Sequence, residues 1–326
     1  MAGIAHAVMC PQTRELDADT ECDSCADPVP VTASSWSPAY LNGRFLPVQE
    51  ASVPVMDRGF LFGDGVYELI PVYGGRVFRI DQHLRRLERS LSETGIPNPY
   101  PRERWREVAA ELVRRAGPAD LSVYLQVTRG VASLRDHAFP EAVTPTVFAM
   151  ATPLSRPRQA WLEAGISAVV LEDIRWRRCD IKGISLLANV LLRERAVELD
   201  AVEAILVRDG HVTEGAASNV IVVRDGVLQS PANGPELLAG VTRDLVLELA
   251  RVDGLPVEER VLPREALATA DEIWVTSSSK EILAVTRLDG QGVGTGRPGP
   301  LWQRVHALFQ TYKSRLARGH ADPVQG

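Results

Sequence analysis

From about residue 40 onward the chain shows apolar positions that either alternate or recur at helical spacing, whereas residues 1–35 show neither period. That leading stretch, with Cys10, Cys22, Cys25, Pro28, Pro30 and several acids, reads as a disordered extension. Tyr40-Leu-Asn-Gly-Arg-Phe-Leu46 predicts a hairpin turning at Asn42-Gly43. Val66 to Tyr73 reads as a strand closed by Gly74-Gly75. Leu84, Leu87 and Leu91 lie on one helical face, predicting a helix capped by Asp81 and ended by Gly95. A second helix is expected over 102–116, then strands over 121–128 and 146–152.

Two prolines and a charge between Pro153 and Pro157 predict a linker over 153–158. An N-terminal domain over 36–152 and a C-terminal domain over 159–326 follow from it. In the second part a strand is expected over 166–171 and a helix over 186–199, capped by Ser185. Two hairpins turn at Asp209-Gly210 and Asp225-Gly226. A helix over 242–252 opens just after Gly240, a strand over 272–276 runs into Ser277-Ser278-Ser279, and an amphipathic helix over 301–317 follows. No repeat of 20–50 residues interrupts this order, which implies two α/β or α+β domains.

Composition narrows the function classes. The chain has 326 residues, 45% hydrophobic and 24% charged, an ordinary mixture for a globular protein. No apolar run approaches the roughly 20 residues of a membrane span. A net charge of −6 argues against a protein that coats nucleic acid. Four cysteines give no disulfide scaffold, and Cys22 and Cys25 lack the further ligands of a metal site. No signal-peptide pattern opens the sequence, so a cytoplasmic enzyme is expected.

One count changes the picture. Of 36 basic residues only Lys182, Lys280 and Lys313 are lysines. Arginine replaces lysine for surface charge, but not where an unprotonated amine must attack a carbonyl. Lys182 has Ile181 and Ile184 beside it, which would favour the neutral amine, although a surface lysine in a basic loop has the same appearance. Lys280 follows a serine run and Lys313 sits among polar residues, so both read as surface charges. Glu214, in Thr-Glu-Gly between two short strands, suits pairing with a heteroaromatic nitrogen or is a turn carboxylate. Gly240-Val241-Thr242 would aim helix N–H groups at an anion, with the Ser277–Ser279 run and Arg86 as further phosphate partners. Arg135 and His137, two apart on a loop, can converge on one carboxylate. No P-loop or dinucleotide fingerprint is present.

Taken in order, these segments resemble the class IV, fold-type IV, pyridoxal-phosphate aminotransferases, and most closely the bacterial D-amino acid transaminases. The matching stretches are Asp57-Arg-Gly-Phe-Leu-Phe-Gly-Asp-Gly-Val-Tyr-Glu68, Gln126-Val-Thr-Arg-Gly130 with Arg135-Asp-His137, and Glu172-Asp-Ile-Arg-Trp176 leading to Cys179-Asp-Ile-Lys182. Thr213-Glu-Gly215, Ser218-Asn-Val220, Gly240-Val-Thr-Arg-Asp244 and Val275-Thr-Ser-Ser278 complete the set, over roughly residues 38–315. The resemblance implies a small N-terminal α/β domain and a larger C-terminal domain with a barrel-like sheet. It implies pyridoxal 5′-phosphate bound to Lys182 through a Schiff base, with the same lysine as the proton carrier. Glu214 would pair with the pyridine nitrogen, and Arg86, Val241, Thr242 and Ser278 would hold the phosphate. Tyr67, Arg135 and His137 would form the substrate-carboxylate trap, the last two reaching across a homodimer. Leu69 is placed at the side-chain pocket.

The implied reaction passes an amino group from a D-amino acid, D-alanine foremost, to a 2-oxo acid such as 2-oxoglutarate, without nucleic acid, membrane or metal. The rivals on the same fold are a branched-chain L-aminotransferase, an (R)-amine transaminase and aminodeoxychorismate lyase. A non-catalytic phosphate-ligand binding protein is the rival outside enzymology. Three features depart from the family pattern: the long N-terminal extension, Ala216-Ala217 where some relatives carry serines, and the acid Asp136 inside the trap.

Overall fold

The structure, a computed structural model, describes residues 37–142 and 144–320. The N-terminal extension and its cysteines lie outside the described residues. Six strands make the first sheet: β1 (Pro38–Leu41), β2 (Arg44–Pro47), β3 (Gly65–Tyr73), β4 (Arg76–Val77), β5 (Leu121–Thr128) and β6 (Thr146–Pro153). Their order is β2-β1-β6-β5-β3-β4, antiparallel throughout. The β1–β2 hairpin turns at Asn42 and Gly43, both at positive φ, which the Asn-Gly pair tolerates.

Three helices accompany this sheet: α1 (Arg58–Phe62), α2 (Ile80–Thr94) and α3 (Arg102–Ala116). Leu84, Leu87 and Leu91 of α2 join Trp105, Val108 and Leu112 of α3 in one buried cluster with Ile70, Val123 and Leu125 of the sheet. Asp81 does not cap α2. The cap position is Arg79, and Asp81 sits in the first turn, where its carboxylate pairs with Arg106 of α3. An acid there is favoured by the helix dipole whether or not it caps.

The second sheet has ten strands: β7 (Ile166–Glu172), β8 (Glu203–Arg208), β9 (His211–Gly215), β10 (Asn219–Arg224), β11 (Val227–Pro231), β12 (Val257–Arg260), β13 (Leu262–Pro263), β14 (Glu272–Ser277), β15 (Glu281–Leu288) and β16 (Gln291–Gly292). The path runs β12-β11-β10-β14-β15-β7-β8-β9-β13, with β16 beside β15. Its two ends, β12 and β13, are separated in sequence only by Val261, so the sheet curls until its edges adjoin. Strand alternation then sorts side chains. Val220, Val222, Ile273, Val275, Leu283 and Val285 face a common interior with Ile205 and Val212. Ile221, Val223, Trp274, Ile282 and Ala284 face outward onto two helices.

The helices of this part are α4 (Gln159–Ala164), α5 (Leu187–Glu198), α6 (Val241–Val252), α7 (Glu265–Ala268) and α8 (Pro300–Ala317). The covering pair is α6 and α8; Phe309 and Tyr312 of α8 also pack on Phe78, ahead of α2. Ser185 does not cap α5. Its hydroxyl donates instead to the Gly63 carbonyl, 3.0 Å away, and Leu186 takes the cap position. No described helix is long and apolar enough to cross a membrane.

Candidate active site

The loop after β7 runs back along the open start of β3. Tyr67 N–H donates to Lys182 O at 2.9 Å, and Ile184 N–H donates to Gly65 O at 3.0 Å. Lys182 N–H reaches Ser90 Oγ of α2 at 3.2 Å. Lys182 is therefore fixed by its main chain between the two sheets. A cavity of about 640 Å³ opens around it, walled by the β3 edge, the Arg175–Leu186 loop, the ends of β9 and β10, the start of α6 and the β14–β15 turn.

Inside, Lys182 Nζ lies 4.3 Å from the centre of the Tyr67 ring and forms no ion pair with a described residue. The other two lysines differ from their sequence reading. Lys280 Nζ contacts Glu203 Oε2 at 2.5 Å, and Lys313 Nζ contacts Glu281 Oε1 at 2.5 Å, both carboxylates being buried. Neighbouring residues 280 and 281 thus enter ion pairs of opposite polarity.

Glu214 lies near the end of β9 rather than in a loop. Its Oε2 accepts from Asn219 Nδ2 at 3.1 Å and Leu238 N–H at 3.0 Å, and its Oε1 pairs with Arg175. Arg175 forks onto Asp173 at 2.9 and 2.8 Å, and Thr213 Oγ1 donates to the same carboxylate at 2.9 Å. Burial pushes the Glu214 carboxyl above its ordinary range while Arg175 pulls against it. Burial works against the Arg175 charge too, but Asp173 and Glu214 outweigh it and raise its proton affinity. Asp173 and Arg175 stood in one of the matching stretches but received no role from the sequence, where an arginine among Arg175, Arg177 and Arg178 reads as surface charge.

Opposite this pair the chain builds an anion cradle. Val241 and Thr242 begin α6, whose cap residue Gly240 has no side chain to occupy the first-turn N–H groups. A Cβ on Gly240 would stand 1.8 Å from Asn219 Oδ1, so only glycine lets the helix start come this close. Thr276 Oγ1, at the other side, is buried with no hydrogen-bond partner among the described residues, and Ser277 to Ser279 continue the wall. Arg86 joins them through Nη1 to Ala239 O at 2.8 Å, while its Nε and Nη2 fork onto Glu68 at 2.8 and 2.7 Å. Glu68, fully buried and also bonded to His83 Nδ1 at 2.7 Å, would be raised by burial alone; Arg86 and His83 instead hold it down at about 2.

Tyr67, Leu69, Ala216 and Ala217 line the cavity. Arg135 and His137 do not reach it within their own chain. They are exposed on the β5–β6 loop, each about 5 Å from the centre of the Phe62 ring. Asp136 between them turns its Oδ1 onto Ala138 N–H at 3.2 Å.

A family model for amino-transferase class IV matches residues 65–288, a span containing Lys182, Glu214 and the whole cradle. The chain is a class IV aminotransferase. A D-alanine aminotransferase of Bacillus licheniformis is 42% identical over 82% of this chain and 94% of its own length. One from Staphylococcus haemolyticus is 40% identical over 84% and 96%. Among solved structures, the branched-chain amino acid aminotransferase of Escherichia coli superposes with a TM-score of 0.82 at 27% identity, covering 88% of this chain and 97% of that one.

Class IV aminotransferases are pyridoxal-phosphate enzymes, and the residues of this aminotransferase fit that group. The orphaned Thr276 hydroxyl and the uncapped start of α6 are what a phosphate dianion requires. The buried Glu214 suits a protonated ring nitrogen, and Lys182 is an amine without a carboxylate partner among the described residues.

Proposed function

We propose that this aminotransferase transfers the amino group of a D-amino acid, D-alanine foremost, to a 2-oxo acid such as 2-oxoglutarate, as a homodimer. The observation carrying the proposal is that a lysine with no ion pair among the described residues shares a single cavity with a buried, arginine-backed glutamate. The names of the two curated relatives support the substrate class. Bound pyridoxal phosphate supplies a carbonyl that condenses with amines and a ring that accepts electrons from the substrate α-carbon.

The chain's own residues do the rest. Lys182 would supply the amine that holds the cofactor and would serve as the base that moves the substrate α-proton. Its fixed main chain confines that transfer to one face. Glu214 would hold a proton at the ring nitrogen, and Arg175 opposes the rise in Glu214 proton affinity that burial causes. Val241, Thr242, Thr276 and Ser278 hold the phosphate, with Arg86 behind the helix start. Tyr67 in the cavity, with Arg135 and His137 of the partner subunit, clamps the α-carboxylate and so chooses the substrate's hand. A dimer is supported by exposed Leu187, Val190 and Leu191 on one face of α5, and by exposed Leu134 and Phe139 on the β5–β6 loop.

The test is a screen of D- and L-amino acids with 2-oxoglutarate, reading oxo-acid formation. D-alanine should yield pyruvate. Turnover of L-branched amino acids without D-alanine would favour the branched-chain rival that the solved neighbour represents. Lys182→Ala should abolish turnover in a folded protein.

A further inference from the structure

The β5–β6 loop carries Arg135 and His137, yet residues 133–139 are exposed and belong to no helix or strand. Its order comes from α1. Arg58 Nη1 donates to Asp136 O at 2.6 Å and Ala138 O at 3.2 Å, and Nη2 donates to His137 O at 3.2 Å. One guanidinium therefore holds three consecutive carbonyls. Arg58 is itself fixed: only 3% exposed, it places Nε 2.8 Å from Asp64 Oδ2. Arg129 grips Asp64 from the other side at 2.7 and 3.0 Å. Phe62 lies four residues along α1, on the same face. Its ring centre is 5.0 Å from the Arg135 guanidinium, 4.9 Å from that of Arg58 and 5.2 Å from the His137 ring.

We propose that Arg58 is a positioning residue for substrate-carboxylate recognition, setting the spacing and direction of Arg135 and His137 through the peptide groups around them. The inference rests on the reading of Arg135 and His137 as the carboxylate clamp. Holding the carbonyls of residues 136 to 138 fixes their peptide planes, and with them the direction in which His137 leaves the chain. Phe62 spaces the two side chains. Only a planar fork with several donors can serve three carbonyls and a carboxylate together; a lysine offers a single point charge. Asp64 also lines the cavity of its own chain, so the short helix mounts the loop against a wall that is already fixed.

Arg58→Lys in the holoenzyme keeps the charge beside Asp64 and removes the fork. KM for D-alanine should rise about 10- to 100-fold, the scale of a small misplacement of a binding group. The kcat, the melting temperature and the dissociation constant of pyridoxal phosphate should change little. An unchanged KM, or a loss of cofactor affinity equal to the rise in KM, overturns the inference. Arg135→Ala is measured in parallel. If it raises KM while Arg58→Lys does not, the positioning role fails and the clamp stands; if it leaves KM unaltered, the clamp reading itself falls and takes the inference with it. Should Arg58→Lys not fold, Phe62→Leu decides, with a rise in KM at unchanged cofactor affinity supporting the mount and no rise refuting it.

Discussion

Arg175 and Glu214 form an ion pair at the cavity wall with side-chain exposures of 5% and 8%, and Asp173 grips the far side of the same guanidinium. Burial raises the proton affinity of the glutamate, and the Arg175 guanidinium opposes that rise. Arg175→Gln should let its proton affinity climb further. The ascending limb of the pH–rate profile then moves to higher pH, and activity at neutral pH falls about 100-fold or more. An unmoved limb would separate Arg175 from the proton held at the ring.

Thr276 tests the cradle without touching the reaction. Its hydroxyl is buried and lacks a partner among the described residues, which penalises the cofactor-free protein. Thr276→Val should leave the apoprotein's melting temperature equal or slightly higher and weaken pyridoxal-phosphate binding by about tenfold, one hydrogen bond's worth. Equilibrium dialysis reads the second effect and calorimetry the first.

How much of this was legible beforehand depended on period. The β1–β2 hairpin, α3 and β5 lie where the sequence put them, because each has one buried face and a marked turn or end. The strand β15 was missed: Glu-Ile-Leu-Ala-Val-Thr-Arg-Leu lacks alternation since it is buried on both faces, inside the curled sheet and beneath helices. The five residues of α1 are too few to show a period. Lys182, Glu214 and the start of α6 were singled out because their residue types are chemically constrained, and the structure brings them round one cavity. The ion pairs of Lys280 and Lys313 were invisible, since Glu203 and Glu281 approach them only through the folded sheet.

Glu68 makes the fold acid-sensitive. Its carboxyl sits at about 2, against 4.5 for an ordinary glutamate, because Arg86 and His83 overcome burial. That lowering stabilises the native state above pH 4.5, by about 3 kcal/mol, and is lost as the pH falls from there toward 2. Melting temperature should therefore drop steeply across that window, and Glu68→Gln should flatten the drop while lowering stability at pH 7.

Gly240 has an ordinary φ of −80°, so backbone strain does not require it. Space does: a methyl would meet Asn219 Oδ1 at 1.8 Å. Gly240→Ala should destabilise the protein by about 1–3 kcal/mol through overpacking and, by displacing Asn219 from Glu214, shift the pH–rate profile as well. A variant with wild-type melting and pH profile would show that the α6 start can move.

Three lysines in all, two of them already neutralised by buried glutamates, concentrate the protein's side-chain amine reactivity at one address. An acylating reagent offered to the cofactor-free enzyme should modify Lys182 ahead of Lys280 and Lys313, since it is the only ε-amine among the described residues without a carboxylate neighbour. Peptide mass mapping can then follow cofactor occupancy by protection of that one lysine.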